Sequence, residues 1–303
     1  MQGLTVLFFG IIAVMRVVQK VCMKRTSTLV NNGVEFFHYG AFYQLMSAVF
    51  AFIFLCFTGF YGFNSVTVLC ALVSAVLFVL ELFTSLEAIK GSTLTVCNMV
   101  ATGGMFIPCI AGIFLFAEPM RTLQWVGLGV FVAAVYFLAS GSKETYKKFS
   151  LKTLFMLLIN FLANGAVMVM QKYFAVSVAG GNVAFYSALT FSFGAVFLYL
   201  CMFTLSVVKR RDAAGERIYK IKPLSKTLVL YGTLLAAALF VINQLVTTMA
   251  QTVPSVILFP VSSALSIIIT CIVGAVAFHE KLTVKNVVGI LLGLGAIVMV
   301  NVF

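Results

Sequence analysis

Residues 109–127 read CIAGIFLFAEPMRTLQWVG, and residues 271–289 read CIVGAVAFHEKLTVKNVVG. Cys, Ile, Gly, Phe, Glu, Val and Gly recur at the same places in both. Working outward, residues 88–138 slide onto 250–300 at a constant offset of 162 without a gap, matching ten of 51 positions and including Ala134 with Ala296. Apolar stretches match one another by composition alone, so the identities count for less than their arrangement. A Glu just past one apolar run, followed nine residues on by a Gly within the next, is not something hydrophobicity produces. A second match, at an offset of 152, pairs Gln19-Lys20 with Gln171-Lys172. The chain is therefore read as a duplicated unit: one domain, 1–303, with halves 1–142 and 150–303.

Each unit is a set of membrane spans. The chain is 62% hydrophobic and 9% charged, with a mean hydropathy of +1.14. A soluble domain of this length needs far more polar surface. Apolar runs of about 20 residues, enough for a helix to cross ~30 Å of hydrocarbon, fall near 3–23, 34–58, 65–88, 91–117, 123–140, 151–175, 182–208, 227–249, 254–278 and 283–302. A membrane β-barrel would alternate in short segments instead. The expected fold is an all-α membrane protein with ten transmembrane helices in two inverted five-helix repeats. The first run carries its charges, Arg16 and Lys20, at its far end, so it is expected to be a span and not a cleaved leader.

Net charge is +12, and its distribution decides what it means. With ten spans, the odd-numbered links carry seventeen of the twenty Lys and Arg residues, seven of them in the stretch Lys209–Lys226. The positive-inside rule makes that side cytoplasmic and puts both termini outside, in a plasma-membrane protein. The basic stretch is thus a topology signal near anionic headgroups, not a nucleic-acid surface. Seven cysteines are scattered singly without a C-x-x-C, and His38 and His279 stand alone. No metal, cofactor or enzymatic chemistry is expected.

A five-helix unit has an odd number of crossings, so its second copy enters the membrane from the opposite face. Inverted repeats of this kind are the usual basis of alternating access. The patterns Phe116-Ala117-Glu118 with Trp125-Val126-Gly127, and Phe278-His279-Glu280 with Val287-Val288-Gly289, resemble the repeated signature of the drug/metabolite transporter superfamily. The ten-helix layout is similar to its EamA branch, over the whole chain. That resemblance implies a carrier of small metabolites such as amino acids, amines or sugars. It also implies a mainly structural role for Glu118, Gly127, Glu280 and Gly289. Many relatives are drawn with cytoplasmic termini, against the charge distribution found here.

Polar residues deep in apolar helices are costly, so they mark where to look for substrate. Glu81, within Val79–Phe83, lies about 6 Å past the middle of the third run at 1.5 Å per residue, and Arg16 lies a comparable distance past the middle of the first, toward the same face. They have two uses: an ion pair with each other, or a carboxylate that holds a cationic group or carries a proton. The repeat sets Asn243 opposite Glu81, with Gln244 beside it. Asn160 and Asn164 lie one turn apart, as do Asn98 and Thr102. These amides are expected to line one polar cavity between the halves; the competing use is an interhelical hydrogen bond worth ~0.6–2 kcal/mol. Pro108, Pro254 and Pro260 interrupt helices, giving static kinks or a bend used in gating. Gly289-x-x-x-Gly293 permits close approach, within the chain or in a homodimer.

The expected function is secondary active transport of a small polar metabolite, driven by protons or exchange, since no ATP-binding motif occurs. The alternative is a non-transporting membrane partner, such as a subunit of a lipid-carrier flippase.

Overall fold

The computed structural model describes residues 2–30, 33–91, 94–119, 121–141, 150–178, 180–208, 223–277 and 283–301. Glu280 and His279, and the greater part of the basic stretch 209–226, lie outside them. Among the described residues there is no strand. The helices are α1 (Gln2–Ser27), α2 (Gly33–Thr58), α3 (Ser65–Gly91), α4 (Leu94–Gly103), α5 (Phe106–Phe116), α6 (Thr122–Gly141), α7 (Leu151–Ser177), α8 (Val183–Val208), α9 (Lys226–Ala250), α10 (Ser255–Ala277) and α11 (Val284–Asn301).

Six of these, α1–α3 and α7–α9, are long and apolar enough to cross a membrane. At 26 residues α2 reaches about 39 Å, more than the hydrocarbon thickness requires. Shorter apolar helical stretches occupy the remaining four expected positions. Their ends follow local chemistry. Ser150 and Ser225 cap α7 and α9, their hydroxyls accepting the N–H groups of Thr153 and Leu228. The turns after α2 and α7 need Gly59 and Gly180, which hold positive φ.

One expected helix is two. The run 91–117 breaks between α4 and α5 at Gly104-Met105. Pro108 has no N–H to carry the hydrogen-bond ladder back to Gly104, and Gly104 is pressed against α7. A Cβ there would come within 2.5 Å of the Phe161 carbonyl oxygen and 3.0 Å of the Gly165 nitrogen. Asn164 bridges the break, donating to the Ala101 carbonyl at 2.8 Å.

α2 packs along α8 and α6 along α11, while α3 packs on α7 and α9 on α1. Buried small residues let α2 and α8 approach: Gly40 sits beneath Leu198, and Gly194 beneath Gln44. Gly127 of α6 and Gly289 of α11 are buried, and Gly293 of α11 faces Ala134 of α6. Close approach at Gly293 is thus used within the chain. Large apolar side chains such as Phe52, Ile53, Val132, Leu200 and Phe203 are exposed on the outer surface, as suits a membrane-embedded protein.

Of the four apolar clusters among the described residues, the two larger lie at different depths. One contains Phe9 and Ile12 from α1, the other Cys22 and Met23. Arg16 and Gln19 fall between them, and the polar residues of the other central helices gather at that level.

Candidate functional site

α1, α3, α7 and α9 meet around a small cavity. Arg16 and Gln19 of α1, Glu81 of α3, Asn164 and Gln171 of α7 and Asn243 of α9 supply its polar lining, with Phe78, Val167, Met168, Leu239 and Ile242 between them. It offers about 30 Å³ for the centres of water molecules, room for about two ordered waters and too little for a metabolite. A second, smaller space shares Gln19, Phe78, Glu81 and Leu239 and continues toward Met23, Tyr43 and Leu235.

The two charged side chains are not paired. Arg16 is 8% exposed, and its Nε has no hydrogen-bond partner. Glu81, half-buried, lines the same space and interacts with the Arg16 charge electrostatically, but no ion pair joins them. The ion pair that the sequence allowed is therefore absent. A guanidinium and a carboxylate held apart in an interior of low dielectric are costly unless water or a ligand joins them.

The neighbouring amides are engaged. Gln171 Nε2 donates to Asn243 Oδ1 at 2.7 Å, and Asn243 Nδ2 donates to Ser187 Oγ at 2.8 Å. Asn243 is thus held from both ends, whereas Glu81, its partner in the sequence repeat, faces the cavity. Asn160 reaches the Glu81 carbonyl at 3.1 Å, Thr84 Oγ1 at 3.1 Å and Ser85 Oγ at 2.7 Å, pinning the α3 backbone that carries Glu81.

Of the residues expected at one cavity, Arg16, Glu81, Asn164 and Asn243 come together. Three are corrected. Asn160 lies beneath α3 and not on the cavity wall. Gln244 turns toward Ser187, whose hydroxyl lies 3.3 Å from its Oε1. Asn98 is buried in α4, its carbonyl accepting Thr102 Oγ1 at 2.7 Å. For Asn160 and Gln244 a neighbouring helix supplies the hydrogen-bond partner. Sequence reasoning left Gln19 and Gln171 out of the site, although the repeated Gln-Lys pair had already set them apart.

Glu118 also has a defined place. It follows α5, with side-chain contacts to Lys172 of α7 and to the start of α10.

No protein-family model matches the chain, and no curated protein matches it. A crystal structure of another protein superposes on it with a TM-score of 0.71, covering 100% of this chain and 98% of the other at 13% identity. The two share a fold.

Proposed function

We propose that the chain is a secondary active transporter in the plasma membrane, moving a small polar metabolite by alternating access. Ten membrane crossings in two inverted five-helix halves would form it, with both termini outside, in the manner of the EamA-like drug/metabolite transporters. The cavity carries this reading. In a chain that is 9% charged, Arg16 and Glu81 sit unpaired at mid-depth among amides, where a structural protein gains nothing from them. A non-transporting scaffold has no use for such a lining.

The packing supports the two-fold arrangement. Exchanging α1 for α7, α2 for α8, α3 for α9, α4–α5 for α10 and α6 for α11 turns the contact of α3 with α7 into that of α9 with α1. The same exchange turns α3 with α8 into α9 with α2, and α1 with α10 into α7 with α4–α5. Four helices around one cavity are then two copies of one pair. Rocking one half against the other opens the cavity to either face in turn. The space for about two waters suits a closed stage of that cycle.

In this mechanism Glu81 receives a cationic group or a proton, and Arg16 receives an anionic group or balances the emptied carboxylate. The energy comes from a proton gradient or from exchange. The test is uptake into proteoliposomes, screened over amino acids, amines and sugars, with wild type and Glu81→Gln. Glu81→Gln should lower the rate at least about ten-fold and weaken its response to an imposed proton gradient. An unchanged rate with an unchanged response to the gradient would remove Glu81 from the mechanism.

A further inference from the structure

Lys172 follows directly on Gln171, which lines the cavity. Its Nζ lies 2.7 Å from Glu118 Oε1 and donates to the carbonyls of Ala250 at 3.0 Å and Val253 at 3.1 Å. The other carboxylate oxygen, Oε2, accepts the N–H of Ser255 at 2.8 Å. The Lys172 side chain is buried and that of Glu118 largely so, 6% and 14% exposed. Three separate stretches meet here: the end of α7, the turn after α5, and the corner between α9 and α10.

The corner is suited to this pair. Lys172 stands over the last carbonyl of α9, that of Ala250, and over Val253 in the turn beyond it, while Glu118 stands over the N–H that begins α10; each charge meets the helix end of opposite partial charge. The backbone aims Glu118 inward. Ala117 takes φ 50°, a left-handed conformation that costs a residue with a Cβ of order 1–3 kcal/mol. Gly112 leaves the space that the carboxylate fills, since a Cβ there would come within 2.6 Å of Glu118 Oε2.

We infer that Lys172 and Glu118 form a latch that shuts one mouth of the cavity and is undone when the cavity opens to that side. The inference rests on the transporter reading and names the residues of one gate. A buried ion pair resists separation unless both charges gain water or new partners. Parting α7 from the α9–α10 corner admits water to both, so unlatching and opening are one event.

The matching lysine is in a different state. Lys20, which the sequence repeat pairs with Lys172, is also buried, at 4% exposed, yet makes no ion pair with a described residue. Among the described residues, then, the bolt is seen at the Lys172 end alone; Glu280, the repeat partner of Glu118, lies outside them. By the charge distribution, the Lys172 end lies on the extracytoplasmic side.

The test uses the full chain in sealed vesicles, with the seven native cysteines replaced and Met168→Cys as reporter, one turn from Lys172 on the cavity wall. A membrane-impermeant maleimide is added from the extracytoplasmic side. Lys172→Met and Glu118→Gln should each raise the labelling rate about five-fold or more. The exchanged pair, Glu118→Lys with Lys172→Glu, should bring it back toward the parent rate, and Lys20→Met should not raise it from this side. Unchanged labelling in both single variants would overturn the latch and leave a merely structural pair. Should a single variant fail to fold, the neutral pair Glu118→Gln with Lys172→Met gives the same reading, and an unchanged rate there overturns it equally. Labelling needs no substrate, so a latch that fails is distinguishable from transport that fails in the uptake screen.

Discussion

Gly112 shows how much a single missing methyl can decide. It recurs as Gly274 in the repeated stretch, and its place against Glu118 Oε2 explains why no larger residue stands there. Gly112→Ala should destabilise the protein by about 1–3 kcal/mol through overpacking and loss of the carboxylate's position. Thermal unfolding in detergent would measure this. The loss should shrink when Glu118 is already Ala. Equal losses in both backgrounds would place the strain at Ser255 instead, whose Cβ would lie 3.1 Å from the added carbon. The sequence told that Gly112 and Glu118 belong together, because both recur, but not what they touch. Contacts to Lys172 and Ser255 span 54 and 137 positions, and no local pattern encodes them. The amides were less legible still. A residue's depth in a span can be counted at 1.5 Å per step, whereas its direction depends on how the helix is rotated against its neighbours. That is why Asn164 and Asn243 reach the cavity while Asn160 and Gln244 find partners on adjoining helices.

Helices were the most legible part of the chain, since membrane spans announce themselves by length and apolarity. The exception is instructive. Between α4 and α5 the apolar run is continuous, and only Pro108 hinted at a break. The backbone of α7 presses on that point, so the break is a tertiary feature with a faint local mark. Gly104→Ala should therefore be more damaging than Asn164→Ala. The first meets a backbone oxygen at 2.5 Å. The second removes one donor from a carbonyl that also accepts Gly104 N–H at 3.0 Å. About 1 kcal/mol is expected for Asn164→Ala and more than 2 for Gly104→Ala, read from unfolding midpoints at equal expression. α6 and α11 offer a second test. Gly293 lies 3.9 Å, through a notional Cβ, from Ala134. Gly293→Leu should lower stability by about 1–3 kcal/mol without changing the particle mass measured by light scattering in detergent. A change of mass with stability intact would move this contact to a dimer interface.

On the scale of the whole molecule, orientation is the expectation most open to direct measurement. By the charge distribution both ends are expected outside, so a protease added to intact cells should remove tags fused to either terminus while sparing one inserted in the basic link 209–222. Tags protected at both ends would reverse the orientation and, with it, the face on which Lys172 and Glu118 lie. The two halves are alike in packing but not in chemistry. Glu81 in one is answered by Asn243 in the other, and the amide is already tied to Gln171 and Ser187. The cavity wall therefore holds one ionisable acid, Glu81, where the proposed repeat has two equivalent positions. On the proposed carrier reading, one such group would limit each turnover to a single coupled proton or a single positive charge. Such a ratio would set the steepest concentration difference the proposed cycle could sustain, and Asn243→Asp is the one-residue change placed to alter it.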